Sequence, residues 1–155
     1  MPVFDSNGSL KTLEVKSALE GFSASGPAAA LLAAGSPHQL DLDTLNFESE
    51  PGTIDLAGDD ATIPISGVWL LSAEVEFITT TGSHTLAVNI LKNGGVIIEG
   101  DTFSGTPGSG LDIRLGAQQS VGLVSGDVIT VEAAINRDVT VECLNFTGIL
   151  LGQLG

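Results

Sequence analysis

From Asn46 onward the hydrophobic pattern has a period of two. In Gly67–Phe77, Trp69, Leu71, Ala73, Val75 and Phe77 fall on one face, and Leu70, Ser72, Glu74 and Glu76 on the other. That alternation is the mark of a half-buried strand. Ile129, Val131, Ala133 and Ile135 alternate in the same way with Thr130, Glu132 and Ala134, and Val139, Val141 and Cys143 with Thr140 and Glu142. Short runs of this kind, separated by Gly, Ser, Asp and Asn, predict an antiparallel sandwich or barrel. Strands do not alternate with helical patterns, which argues against a parallel α/β sheet.

The clearest local signal is Leu91–Ile98, LKNGGVII. Asn-Gly between apolar runs predicts a hairpin, and two registers fit it. A two-residue turn at Asn93-Gly94 sets Leu91 opposite Val96 and Ile90 opposite Ile97. A three-residue loop with Gly95 as a bulge sets Ile90 opposite Ile98 and Leu91 opposite Ile97. The second collects Leu86, Val88, Ile90, Val96 and Ile98 on one face and is the preferred reading, because a slip of one residue exchanges the faces. It leaves Leu91 and Ile97 on the other face, where a subunit contact would bury them.

Residues 1–45 read differently. Gly21–His38, GFSASGPAAALLAAGSPH, is rich in Ala, Gly, Ser and Pro. Pro27 suits a first helical position, and Ala28–Ala34 has room for two helical turns, too few to stand alone. The division expected is an extended N-terminal arm over 1–45, ordered by a neighbour, and a head over 46–155.

Composition narrows the functions. With 155 residues the chain suits one domain. Apolar residues make up 43%, which excludes a disordered chain, and charged residues only 15%, below the usual ~25%. A surface so poor in charge suggests cover by other subunits. Nineteen acidic residues against five basic ones give a net charge of −14, which argues against nucleic acid, whose phosphates need Lys and Arg, and against anionic membranes. No apolar run approaches the length of a membrane span. The N-terminus carries Asp5 and Glu14 and lacks the basic and apolar regions of a secretory signal, so synthesis in a cytosol is expected.

Catalytic chemistry is not apparent. His38 lies in the arm and His84 in the polar turn TTTGSHT; neither has an acidic or cysteine partner at a recognisable spacing, and both read as surface histidines. Cys143, the single cysteine, follows the inward alternation of its strand and reads as a buried, inert thiol. Without His or Cys clusters there is no transition-metal signature. Asp55, Asp59 and Asp60 depart from the calcium-loop pattern and read as a solvated turn. Ser104–Gly110, SGTPGSG, lacks the Lys-Ser/Thr ending of a phosphate loop. Asn145–Thr147 matches a glycosylation acceptor but sits in a predicted strand. Arg114 and Arg137 are isolated and read as surface or interface pairs. No catalytic residue, metal or cofactor is assigned.

Four pieces fall in one order: SGVWLLSAEVEF (Ser66–Phe77), LKNGG (Leu91–Gly95), VGLVSGDVITVEA (Val121–Ala133) with a Gly126-Asp127 turn, and FTGILLG (Phe146–Gly152). This order resembles the tumour-necrosis-factor-like jelly roll, the superfamily that includes the globular heads of complement component one q. The resemblance covers about 46–155 and implies an all-β, antiparallel jelly-roll sandwich that forms a homotrimer. The interface it implies uses Leu86, Val88, Ile90, Leu91, Ile97, Leu144, Phe146, Ile149 and Leu151. The chain has no collagen stalk and no tyrosine, and carries Trp69 where the family often has Tyr. It therefore looks more like the small jelly-roll capsid decoration (cement) proteins of tailed bacteriophages. That likeness implies a trimer on the outer virion surface, made in the host cytoplasm, with the major capsid protein as partner. The arm's contacts would come from Val3, Phe4, Leu10, Leu13, Phe22, Leu31 and Leu32. The alternative is a receptor-binding or fibre-tip module that uses the loops Thr79–Thr85 and Ser104–Gly110.

Overall fold

The structure, a computed structural model, describes residues 3–4, 10–11, 20–35 and 37–153. Among them there are fourteen strands and no helix. In chain order these are β1 (Val3–Phe4), β2 (Leu10–Lys11), β3 (Gly21–Ser25), β4 (Ala30–Leu32), β5 (His38–Gln39), β6 (Thr44–Glu48) and β7 (Ile54–Asp55). They continue with β8 (Asp60–Thr62), β9 (Gly67–Thr79), β10 (His84–Lys92), β11 (Gly95–Gly105), β12 (Asp112–Leu123), β13 (Val128–Ile135) and β14 (Val139–Gln153).

Two antiparallel sheets face each other. One runs β12-β9-β14-β3-β6, with β4 also on β14; the other runs β11-β10-β13-β8-β7, with β5 also on β13. The alternating strands supply the core. Trp69, Leu71, Val75 and Phe77 from β9 meet Leu86, Val88 and Ile90 from β10 and Ile129, Val131 and Ala133 from β13, all buried. The Trp69 Nε1 proton goes to the Ile65 carbonyl at 2.9 Å, so the largest core side chain leaves no polar atom unpaired.

The division at residue 45 is corrected. β3 lies inside the first sheet, between β14 and β6, and Phe22 is only 2% exposed. Its ring is 5.1 Å from that of Phe146 and 6.2 Å from that of Trp69. Leu40 and Leu42 are also in the core. The packed unit therefore begins by Gly21. The short helix expected at Ala28–Ala34 is a turn, with Ala29 at φ 59°, followed by β4. One alanine-rich segment cannot outweigh an open edge of β14 that offers unpaired backbone groups. Of the expected arm residues, Phe22 is core, Leu32 packs half-buried against it, and Leu31 is 73% exposed. Val3 and Phe4 pair with Lys11 and Leu10 in a separate two-stranded hairpin, and Leu13 lies outside the described residues.

The hairpin contains parts of both expected registers. Lys92 pairs with Gly95 and Leu91 with Val96, so the turn has two residues, Asn93 at φ 50° and Gly94 at φ 84°, the positive values a primed turn needs. The register then shifts at Ile97, and Ile90 pairs with Ile98. The bulge therefore falls at Ile97, not Gly95, and Val96 is exposed instead of sharing the buried face of Ile90 and Ile98. A second bulge at Glu142 corrects Cys143. The inward positions run Val139, Val141, then Leu144 and Phe146, so Cys143 is only half-buried, on the outer side, opposite Glu76.

Phe22→Ala removes a ring from the centre of the sandwich, so stability measured by urea unfolding should fall by about 3–5 kcal/mol. A separate arm over 1–45 would leave the unfolding midpoint unchanged. Gly100→Ala should also destabilise, by about 1–3 kcal/mol. Its Cβ would collide with the Val88 carbonyl oxygen and lie 2.7 Å from that of Gly116, where the two sheets' edges meet.

Candidate functional site

The outer face of the β12-β9-β14-β3-β6 sheet is built by cross-strand rows, since directly paired residues share a face. One row reads Gln118, Ser72, Thr147, Ser23, Phe47 from edge to edge. The next reads Ser120, Leu70, Ile149, Gly21. Short hydroxyls, apolar side chains and the Gln118 carboxamide fill both rows, and neither carries a charge. The charges on this face sit toward one side. There Arg114 reaches Glu76 at 2.8 Å and Glu74 at 3.8 Å. The resulting strip is neutral on a chain of net charge −14.

The interface residues inferred from the sequence divide into two sets. Leu86, Val88, Ile90, Leu144 and Phe146 are in the interior of the single chain, filling the space between its own sheets. They are therefore corrected as interface positions, because a side chain already enclosed by its own sheets has no surface left for a neighbour. The alternation shows two faces without telling which is enclosed. Leu91 is buried, and Ile97 packs partly against the core. Ile149 and Leu151 do face outward on β14, and Leu151 is 57% exposed. Sequence reasoning missed Ser23, Phe47, Ser72, Gln118 and Thr147. Only the pairing of β12, β9, β14, β3 and β6 brings them into line, and polar alternation alone does not show that.

A second constellation ties the two turn motifs together. Asn93 accepts from the Val128 amide on Oδ1 at 2.9 Å and donates from Nδ2 to Asp127 Oδ1 at 3.0 Å. Its own amide donates to the Val128 carbonyl at 2.8 Å. Asp127 Oδ2 accepts from the Val124 amide at 2.9 Å and lies 3.9 Å from Lys92 Nζ. The Val124 amide above all, then the Asn93 amide and the Lys92 ammonium, hold the Asp127 carboxyl below its ordinary value against the effect of its burial. The Lys-Asn-Gly tip and the Gly-Asp turn are thus one clamp.

At the other end of the sandwich a polar cleft is lined by Ala34, Thr80, Thr81, Ser109, Asn136, Arg137 and Asp138. His84 is corrected from a surface residue to a fully buried one, its Nδ1 3.0 Å from the Gly82 carbonyl and its Nε2 3.3 Å from Thr80 Oγ1. The Thr80 hydroxyl does face an imidazole nitrogen, but Nδ1 meets the Gly82 carbonyl rather than a carboxylate that would orient the ring as a base. His38 is half-buried in β5, with Nε2 2.7 Å from the Ala33 carbonyl. In the Asp55–Asp60 turn, Asp59 caps the Leu42 amide at 2.7 Å. Burial, followed by the charges of Asp55 and Asp59, raises the Asp60 carboxyl. Among the described residues no group of three His, Cys, Asp or Glu is placed to hold a metal ion.

No protein-family model and no curated protein matches the sequence. Solved structures do. The globular domain of zebrafish complement 1qA protein is similar at a TM-score of 0.61 and 12% identity, over 87% of this chain and 99% of that one. The Eiger tumour necrosis factor from S. frugiperda is similar at 0.66 and 12%, over 88% and 95%. Murine APRIL at pH 5.0 is similar at 0.54 and 15%, over 85% and 100%. The fold is the tumour-necrosis-factor-like, complement-one-q-like jelly roll.

The clamp gives a pH dependence. A carboxyl whose folded pKa is lowered stabilises above its unfolded value, about 3.9, and loses that contribution as pH falls through the folded value. Asp127→Asn should therefore melt earlier than the wild type at pH 7, with the gap closing as pH drops through the carboxylate range. A gap of constant size across that range would trace the effect to shape rather than charge.

Proposed function

We propose that the chain is a structural, non-catalytic module: a homotrimer of jelly-roll heads that decorates the outer capsid surface of a tailed phage at threefold positions. The observation that carries the trimer is the neutral outer face of the β12-β9-β14-β3-β6 sheet, with Thr147 and Ser72 at its middle. A strongly acidic chain keeps charge off a surface it buries against copies of itself, since a buried unpaired charge is costly. Closed cyclic assembly is the ordinary outcome for such a face. The assignment to a capsid follows from the motif order and from the first nineteen residues, which precede β3 and carry Val3, Phe4, Leu10 and Leu13. In this reading they take the arm's role toward the major capsid protein, since Phe22 belongs to the head. Three arms on one trimer bind with avidity, and the acidic loops keep decorated particles apart. The mechanism is mechanical: the trimer staples capsid subunits made in the host cytoplasm.

The second reading, a receptor-binding or fibre-tip head, is favoured by the polar cleft. Arg137 lines it and has no carboxylate partner among the described residues, whereas Arg114 and Lys92 have theirs. Removal of residues 1–19 discriminates between the two. It should abolish cosedimentation with undecorated capsids in the capsid reading and leave host-cell binding intact in the other.

Light scattering on a sizing column should give about 47 kDa, three times the 15.8 kDa chain. Thr147→Asp places a carboxylate at the centre of the neutral strip and should reduce the mass to that of one chain with an unchanged circular dichroism spectrum. A trimer that survives this substitution would move the interface to another face.

A further inference from the structure

The clamp at the hairpin tip contains a reactive dipeptide that neither assembly nor binding uses. In Asn93-Gly94 the glycine places no side chain beside its backbone nitrogen, the atom that attacks an asparagine Cγ in deamidation. Asn93 is exposed, so water is at hand. Yet its amide is engaged at both ends, Oδ1 with the Val128 amide and Nδ2 with Asp127 Oδ1. Both contacts tie the side chain to the β12–β13 turn.

We propose that Asn93 is a deamidation site gated by Asp127, and that its conversion releases the β10–β11 tip from the β12–β13 turn. The Gly94 nitrogen attacks Asn93 Cγ, the C–N bond to the amide nitrogen breaks, and ammonia leaves with the proton from Gly94. The resulting cyclic imide takes up one water and opens to aspartate or isoaspartate. Attack requires the Asn93 amide to leave its two partners, so the rate follows the opening of the clamp. The product is incompatible with reclosure. A carboxylate oxygen replaces the Nδ2 donor at the 3.0 Å contact and meets the Asp127 carboxylate. Two like charges at that distance repel, and among the described residues Lys92, 3.9 Å from Asp127, is the one cation paired there to offset them. The isoaspartate product also adds a backbone atom to a two-residue turn.

The test follows Asn93 by peptide mapping with mass spectrometry during incubation of the full chain at mildly alkaline pH. A synthetic peptide spanning Ile90–Ile97 supplies the ungated rate. A hydrogen bond to a charged group should slow the native protein by roughly tenfold or more relative to the peptide. Asp127→Ala should move the rate toward that of the peptide. Should Asp127→Ala fail to fold, Asp127→Asn retains the shape, removes the acceptor charge, and should accelerate the reaction in the same direction. Asn93→Asp should lower the thermal midpoint at neutral pH. Equal rates in native protein and peptide, or no acceleration in a folded Asp127 variant, would overturn the gating. An Asn93→Asp protein that melts with the wild type would overturn the release.

Discussion

The strand β14 must satisfy two edges at once, and the rest of the fold is arranged around that constraint. Its backbone pairs with β9 along one side and with β3 and β4 along the other. A strand with both edges occupied has its facing fixed. Strict alternation from Val139 would turn Asn145 and Thr147 into the core and Leu144 and Phe146 out of it. The bulge at Glu142 reverses the facing between the two halves, so Val139, Val141, Leu144 and Phe146 all enter the core. A single extra residue thereby lets one strand carry both the centre of the core and the centre of the neutral outer face. The chain opposite answers the bulge, since β3 and β4 are interrupted at Gly26–Ala29 where β14 deviates.

The long strands were legible because their faces differ in chemistry. Trp69 to Phe77 and Ile129 to Ile135 alternate cleanly, and every inward member is buried. The errors fall where a backbone event changes the count. Cys143 and Val96 were placed by alternation carried across a bulge, and a bulge depends on partner strands that the local sequence does not contain. Residues 21–42 were misplaced for a different reason. Gly, Ala and Ser dominate them, so Phe22, Leu40 and Leu42 do not stand out as a strand pattern. What holds them is the unpaired edges of β14 and β13, a tertiary demand rather than a local preference. The polar neighbours of His84, Thr80 and Ser83, suggest a surface position, yet they belong to the turn that encloses it.

Charge is distributed by position. The carboxylates Asp55, Asp59 and Asp60 cluster at one turn, and Glu74 and Glu76 share Arg114 at the border of the outer face. On the same sheet as Arg114, the hydroxyls of Ser23, Ser72 and Thr147 stay neutral at every pH a cell offers. The two central rows of the outer face carry no charged side chain, and they are the widest surface the first sheet presents in register. The chemistry of that surface is set by which residues the sheet leaves without charge.

The position of β14 in the chain has a temporal consequence. It is the last of the described strands and occupies the middle of a sheet whose other members come earlier. During synthesis β9 and β3 emerge with facing edges bare, each an open template for an unrelated strand. The β12-β9-β14-β3-β6 sheet is not complete until the fifteen residues of β14 have left the ribosome. Closure is therefore one late event, dominated by contacts distant in sequence, and such topologies fold slowly. The outer face that spans β9, β14 and β3 does not exist before that event. A chain that cannot display this face early cannot associate through it early.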